Sequence, residues 1–331
     1  MIDFQLLKKV ISDNNSFLIT THVNPDADAL GSEIALDLIL KELGKKAFIV
    51  NYSETPYNLL FLDKSGAIET YDEGKHNPVI KSVDVLIALD FNKWDRTVKM
   101  KQALLQSTAL KICIDHHLDP ENFADHFFID TNYSACGEII YDFIKKTDIV
   151  NMTYELAYPL YAAIMTDTGS FRFERTTQGL HMIAAEMLKL GVIPGDVFDK
   201  IYDQSKFSKF KLLGRSLNSL KLSGDDGNVS YMILTQKDFI ETGAEESDTD
   251  GFVNFALSVE NVKIGILFVE LKEGFKVSFR SKGNISVNQL AREYGGGGHT
   301  NAAGARFFKN NLNELLPEIL NEALKYVNKE E

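Results

Sequence analysis

Residues 22–28 read His-Val-Asn-Pro-Asp-Ala-Asp, and further along the chain comes Asp115-His116-His117. Carboxylates and imidazoles grouped in this way suit hard or borderline divalent cations, whereas a structural zinc site would draw on thiolates. The chain holds only two cysteines. A catalytic metal site is therefore the leading expectation.

The elements that must position these residues are legible in the apolar runs. Segments 17–21, 47–51, 83–89 and 111–114 read as short buried strands, and 33–43 reads as a helix with Ser32 as N-cap and Gly44 as its stop. Strands alternating with helices predict an α/β fold with a mostly parallel sheet covered on both faces. Three of these strands run into His22, Asp90 and Asp115, at the end where open α/β sheets bind their ligands. From 134 to 219 the pattern turns helical, clearest at 153–165 and 177–190, with Asp167 in the turn Met165-Thr-Asp-Thr-Gly-Ser170. Segments 229–234, 262–271 and 275–279 then read as strands of a second, smaller α/β domain. The expected division is 1–195 for the metal-binding domain, 196–221 for a helical linker and 222–331 for the second domain.

Composition narrows the function. The 331 residues exceed what one core usually serves, and 44% hydrophobic with 25% charged residues is ordinary for a globular protein. The first residues, Met-Ile-Asp-Phe-Gln-Leu-Leu-Lys-Lys-Val, lack the apolar core of a signal peptide, and no later run approaches the roughly 18 apolar residues of a membrane span. The expectation is a cytoplasmic protein without a membrane partner. A net charge of −12 argues against a groove for long nucleic acid, which needs many Lys and Arg contacts, but leaves room for a short anionic ligand at bound cations. Cys113 and Cys136 each sit in an apolar pattern and read as buried thiols.

One Asp at a strand end is ordinarily a turn or cap residue. Asp26, Asp28, Asp90, Asp115 and Asp167 all fall on loops expected at one edge, and so many carboxylates would raise one another's pKa unless cations compensate. His22, His116, His117 and His299 lie in motifs, while His76, His126 and His181 read as structural. The run Gly295-Gly-Gly-Gly-His299-Thr-Asn-Ala-Ala-Gly304 follows an expected helix at 287–294 and precedes a strand, so it reads as a backbone loop that approaches phosphate.

With these motifs in hand the chain resembles the DHH-family phosphoesterases that carry a Gly-rich, DHH-associated C-terminal domain, of the oligoribonuclease and 3'-phosphoadenosine-5'-phosphate phosphatase type. The motifs at 22–32, Asp90, 115–117, 166–170 and 295–304 occur in the family's order and span nearly the whole length. The resemblance implies that His22, Asp26 and Asp90 hold one metal ion and that Asp28, Asp90, His116 and Asp167 hold the other, with Asp90 bridging. Two divalent ions, of manganese in such relatives, are thus implied as cofactors. It further implies that His117 faces the phosphate and that Asp115 orients a ligand. Arg280 and Ser281 of the second domain, with Gly296, Gly297, Gly298 and His299, would contact the substrate. Ala27 stands where the family often has Gly, which puts no ligand in doubt.

The activity implied is two-metal hydrolysis of short RNA to mononucleotides, removal of the 3'-phosphate of 3'-phosphoadenosine-5'-phosphate, or both. A phosphodiesterase for linear or cyclic dinucleotides would use the same two domains. An inorganic pyrophosphatase would share the first four motifs but not the Gly-rich His loop, and a single-strand DNA exonuclease would need a long basic track. A non-catalytic nucleic-acid-binding member of the superfamily would have lost metal ligands, and every ligand position is filled here. The expected partners are short RNA or small nucleotides; a homodimer is compatible with the sequence and not specified by it.

Overall fold

The structure, a computed structural model, describes residues 1–224 and 226–328. Asp225 and the last three residues of the domain expected at 222–331 lie outside the described residues. The chain divides into two compact units, Met1–Gln204 and Ser205–Glu331.

The first unit contains α1 (Phe4–Asp13), β1 (Ser16–Thr20), α2 (Ala27–Glu42), β2 (Lys46–Asn51), β3 (Ile68–Thr70), α3 (Glu73–Ser82) and β4 (Val85–Leu89). It continues through α4 (Met100–Gln106), β5 (Leu110–Asp115), β6 (His126–Ile129), α5 (Cys136–Thr147), α6 (Tyr154–Asp167), α7 (Gln178–Lys189) and α8 (Pro194–Tyr202). Its six strands form a fully parallel sheet in the order β3-β2-β1-β4-β5-β6. Successive residues of the central strands feed two separate cores: Phe17, Ile19 and Ile87 pack under α2, α5 and α6, while Leu18, Leu86 and Ala88 pack under α3 and α4. Both faces being covered, β4 is buried at all five positions, as a parallel strand demands.

Helix α2 departs from the expected 33–43. It begins at Ala27, six residues earlier, because the Asp26 carboxylate itself caps it by accepting from the N–H groups of Asp28 and Ala29. Ser32 is therefore inside the helix, where its hydroxyl donates to Asp28 Oδ1 at 3.2 Å. Gly44 does end the segment, at φ 72°. Almost every side of α2 is buried, and its contact with α6 is close: a Cβ on Gly31 would lie 2.4 Å from the Pro159 carbonyl oxygen. Strands β3 and β6 were not foreseen, and His126 opens β6.

The second unit contains α9 (Phe207–Asn218), β7 (Lys221–Ser223), β8 (Val229–Leu234), α10 (Gln236–Thr242), α11 (Val253–Leu257), β9 (Ile264–Glu270) and β10 (Phe275–Ser281). It closes with α12 (Val287–Glu293), β11 (Gly297–His299), β12 (Ala302–Phe307) and α13 (Leu312–Asn328). The sheet order is β11-β12-β10-β9-β8-β7, antiparallel except for the parallel pair β8 and β9. The segment expected as a linker, 196–221, is shared out: most of α8 packs within the first unit, through Val197 and Ile201, and α9 packs within the second, through Leu212. Apolar faces on both helices explain this, since each finds a core of its own to cover.

Candidate metal centre

The chain ends of three neighbouring strands, β1, β4 and β5, carry His22, Asp90 and Asp115. They flank the point where the strand order reverses, the usual ligand position of an open parallel sheet. Thr21 ties these ends together, its hydroxyl donating to the Leu89 carbonyl at 2.8 Å and its N–H to Asn51 Oδ1 at 3.1 Å. Asp90 turns the chain at φ 63°, a left-handed conformation that Asp tolerates better than most side chains.

The two oxygens of the Asp90 carboxylate face different histidines. Oδ2 lies 3.5 Å from His22 Nε2, and Oδ1 lies 3.5 Å from His116 Nε2. His116 Nε2 is also 3.3 Å from Asp167 Oδ2 and 3.7 Å from Asp28 Oδ2. Asp26 completes a second group with His22 and Asp90, whose ligand atoms all lie within 4.8 Å of one another. The contacts at 3.3–3.7 Å exceed the roughly 2.7–3.2 Å of an N–H···O bond and fall where two donors share one cation. His22 Nδ1 lies 3.0 Å from the Val23 carbonyl, an acceptor, so that nitrogen carries the proton and Nε2 is the one turned to Asp90.

Supporting contacts hold the donors in place. Asp28, on the first turn of α2 rather than on a loop, accepts from the backbone N–H of Cys136 at 2.7 Å and of Gly137 at 2.9 Å, at the start of α5. Gly137 permits this approach, since a Cβ there would lie 2.6 Å from Ala163 Cβ. Asp167 is the last residue of α6, which α2 packs against, so the helix contact itself delivers that carboxylate. Asp115 Oδ1 meets His117 Nδ1 at 2.7 Å, and Asn92 Nδ2 donates to the carbonyls of His117 and Leu118.

The electrostatics are those of a cluster that wants cations. Burial first, then repulsion from Asp90 and Asp167, holds the Asp28 carboxyl well above the usual carboxylate range. Asp90 does not share the upward shift expected of every member: burial works against its charge, but the His116 and His22 imidazoles facing its two oxygens outweigh it and hold the carboxyl well below that range. Burial would push His116 down, yet Asp167 and Asp90 carry it well above the usual imidazole value, and His22 moves the same way through Asp90 and Asp26. Protons thus do for the bare cluster what divalent ions do better. Asp115 Oδ2, fully buried, has no hydrogen-bond partner among the described residues. Such an orphaned oxygen beside these donors fits the divalent-cation reading.

Two features escaped the sequence reading. Cys136, taken as a plain buried thiol, is buried as expected, but its sulfur belongs to one group with Asp28, Asp90 and His116. Glu33, fully buried on α2, accepts from Asn51 Nδ2 at 2.7 Å, while its Oε1 has no hydrogen-bond partner among the described residues. Asn51 ends β2, so the rule that found His22, Asp90 and Asp115 could also have found it. The three histidines read as structural sit apart from the cluster: His76 contacts Glu69 at 2.9 Å, His126 is on β6 and His181 stacks on Phe171.

In the second unit, Arg280 of β10 and His299 of β11 both pair with Ala302 of β12, so they share one rung and one face of the sheet. Burial draws the Arg280 guanidinium below its usual pKa, and the charge of Asp250 opposes that shift. Ser281 points the other way: its hydroxyl donates to the Ile285 carbonyl at 2.6 Å and accepts from Asn301 at 3.0 Å, which secures the turn that Asn301 closes. The Gly-rich run is partly a strand and not wholly a loop. Cβ atoms on Gly296 and Gly298 would lie 2.1 Å and 2.4 Å from the carbonyls of Gly304 and Ala302, so sheet packing alone demands glycine there. Gly297 has open space at its Cβ position.

A parallel sheet with such a cluster at its switch point defines an α/β protein with a candidate divalent-metal centre, and the comparisons give the family. Residues 16–164 match the DHH family N-terminal domain and residues 226–329 match the DHHA1 domain. The chain is 34% identical to a protein of Thermus thermophilus named bifunctional oligoribonuclease and PAP phosphatase NrnA, over 91% of this chain and 87% of that one. A Bacillus subtilis protein of the same name is 30% identical, over 91% and 92% of the two chains. Among solved structures, an exopolyphosphatase-related protein from Bacteroides fragilis superposes with a TM-score of 0.89 at 30% identity, covering 97% of this chain and 96% of that one. The chain belongs to the DHH family, and it is a phosphoesterase.

Proposed function

We propose that the protein is a two-metal phosphoesterase that hydrolyses short RNA to mononucleotides and removes the 3'-phosphate of 3'-phosphoadenosine-5'-phosphate. The observation that carries the two-ion reading is Asp90, whose two oxygens address two histidines in two separate donor groups. His22, Asp26 and Asp90 would hold one ion; Asp28, Asp90, His116 and Asp167 would hold the other. Manganese suits this mixture of carboxylate and imidazole. Ions held there would supply activation of the attacking water at neutral pH and polarisation of the phosphoryl oxygens.

The chain's own residues do the rest. Asp115 fixes the His117 ring through Nδ1, so that the partly exposed imidazole meets the phosphate in one orientation. Water adds to phosphorus, the bond from phosphorus to the leaving oxygen breaks, and that oxygen takes up a proton. In the second unit, Arg280 and His299, with the backbone at Gly296, Gly297 and Gly298, are the proposed substrate contacts; Ser281 keeps the adjoining turn in shape. The two relatives above are named for these same two substrates, which supports the choice. We place the enzyme in the cytoplasm, in keeping with the described residues having no helix long and apolar enough to cross a membrane.

The test offers manganese-supplemented protein the bisphosphate nucleotide, a linear dinucleotide, RNA of five and of twenty residues, and pyrophosphate. Mononucleotide release from the five-residue RNA and phosphate release from the bisphosphate nucleotide are expected, with slower turnover of the longer RNA. Hydrolysis of the linear dinucleotide alone would favour the signalling phosphodiesterase, and inertness toward all five would return the chain to a binding role.

A further inference from the structure

Cys136 has no task in the mechanism above, yet no part of its side chain reaches solvent. Its Sγ lies 3.5 Å from Asp90 Oδ1 and 3.6 Å from the Ile114 carbonyl, and it shares with Asp28, Asp90 and His116 a space in which all four ligand atoms lie within 4.8 Å of one another. That company differs from the environment of Cys113, whose sulfur meets the Phe91 carbonyl at 3.3 Å and belongs to the apolar core of the opposite sheet face.

The position is also fixed. The backbone N–H of Cys136 donates to Asp28 Oδ2, so the residue that presents the sulfur is anchored to one of the carboxylates beside it. Asp115, whose buried Oδ2 has no hydrogen-bond partner among the described residues, belongs to the adjoining group of Asp90, Asp115 and His117, which shares Asp90 with the group that contains Cys136.

The distance is informative. The 3.5 Å separation of Sγ and Asp90 Oδ1 is short enough for one ion to bond both, given metal–sulfur and metal–oxygen bonds of about 2.3 and 2.1 Å. A soft thiolate donor favours zinc and its relatives, whereas manganese prefers oxygen donors.

We propose that Cys136 is a metal-selectivity residue of this centre, a conditional sulfur ligand that lets zinc, cobalt or cadmium compete with manganese for the ion position between Asp28, Asp90 and His116. The inference rests on the metal-centre reading above. When a thiophilic ion enters, the thiol gives its proton to solvent and the sulfur takes the ion in its place, with no change of oxidation state. A manganese ion in the same position keeps its oxygen and nitrogen donors and leaves the thiol protonated.

The experiment uses the full chain, stripped of metal and then titrated with cobalt. A near-ultraviolet sulfur-to-cobalt charge-transfer band is expected in the wild type and in Cys113→Ser, and its loss is expected in Cys136→Ser and Cys136→Ala at unchanged cobalt stoichiometry. In a competition read by elemental analysis, the preference for zinc over manganese should fall on the order of tenfold in both Cys136 variants, the scale on which a donor beside a metal changes affinity. Using both a polar and an apolar replacement guards against one of them failing to fold. Wild-type protein that binds cobalt without the band, a band lost in Cys113→Ser instead, or variants that retain the full zinc preference would each overturn the assignment. Failure of the wild type to bind cobalt, zinc or manganese at all would remove the metal-centre reading itself, and the assignment with it.

Discussion

Glu33→Gln should shift the stability of the metal-free protein in favour of the variant by an amount that grows with pH. Glu33 is fully buried on α2, and burial before all else raises its pKa to about 8, with Asn51 opposing the shift and the charge on Asp90 adding to it. A carboxyl whose folded pKa exceeds its unfolded value binds its proton more tightly in the native state. Its contribution is neutral below the unfolded value of 4.5, turns unfavourable as pH rises through the interval, and levels off above about 8. Each unit is worth about 1.4 kcal/mol, so wild type gives up roughly 3 kcal/mol by pH 7 and roughly 5 kcal/mol by pH 9, of which glutamine gives up none. The amide oxygen can still accept from Asn51, while its NH₂ replaces the orphaned Oε1 and leaves a donor unpaired, a pH-independent cost of roughly 1–3 kcal/mol.

The slope against pH, rather than the absolute difference, is therefore the measurement. Urea denaturation in chelator at pH 5, 7 and 9 can be followed by Trp94, the chain's one tryptophan, which is buried in the first unit and so reports the unfolding of the part that contains Glu33. The stability difference between variant and wild type should shift in favour of glutamine by several kcal/mol between pH 5 and pH 9. A difference that stays constant across that range would show that Glu33 ionises without penalty, and the account of its burial would be wrong.

Four further outcomes follow from the same geometry. Asp90→Ala should lower turnover at least 10²-fold, as for loss of an electrostatic group at a reacting centre, and retention of more than about a tenth of the activity would count against a bridging role. Metal removal should matter most at alkaline pH: the stabilisation that His22 and His116 gain from their raised pKa values is present below the usual imidazole value and lost as pH rises through the folded one, and Asp28 also turns unfavourable above its ordinary range. Melting of manganese-bound and chelated protein at pH 6 and 8.5 should show the larger gain from metal at 8.5, and an equal gain at both would contradict the sign. Gly31→Ala should cost roughly 1–3 kcal/mol, because its Cβ meets a rigid carbonyl 2.4 Å away, and an unchanged urea midpoint would show that α2 and α6 can part freely. Arg280→Ala and His299→Ala should each lower efficiency on nucleotides by about 2–4 kcal/mol of transition-state stabilisation while metal content stays whole, and metal loss from either would move that residue into the ion site.

What the sequence disclosed about the site came from a rule of place. His22, Asp90 and Asp115 follow apolar runs, and in a parallel sheet the ends of such runs meet at one edge; β1, β4 and β5 are indeed adjacent. The start of α2 was misplaced because Ser32 looks like a cap, whereas Asp26 acts as one while also standing among the candidate ligands, a double use that spacing does not reveal. Cys136 was hidden for a different reason. A cysteine in an apolar run is ordinarily filler, and only the tertiary approach of the α5 terminus to Asp28 brings it into the cluster. The glycines at 296 and 298 were read for a ligand when the neighbouring strand already requires them, since hairpin register between β11 and β12 is a long way from a composition signal.

The arrangement also explains why so costly a cluster is tolerated. Asp28 and Glu33 lie on one buried helix, and both resist ionisation. Asp90, one strand end away, stays charged because two histidines are themselves driven to hold protons by the surrounding carboxylates. Opposite shifts in neighbouring groups mean that the bare cluster trades protons between its members, and each of those protons occupies an atom that a cation would need. Ion binding and proton release are then the same event, so affinity for metal rises with pH while the stability of the metal-free fold declines. Under the two-ion proposal such a centre would be stable when occupied, because the carboxylates that make it costly when empty are the ones that would hold the ions.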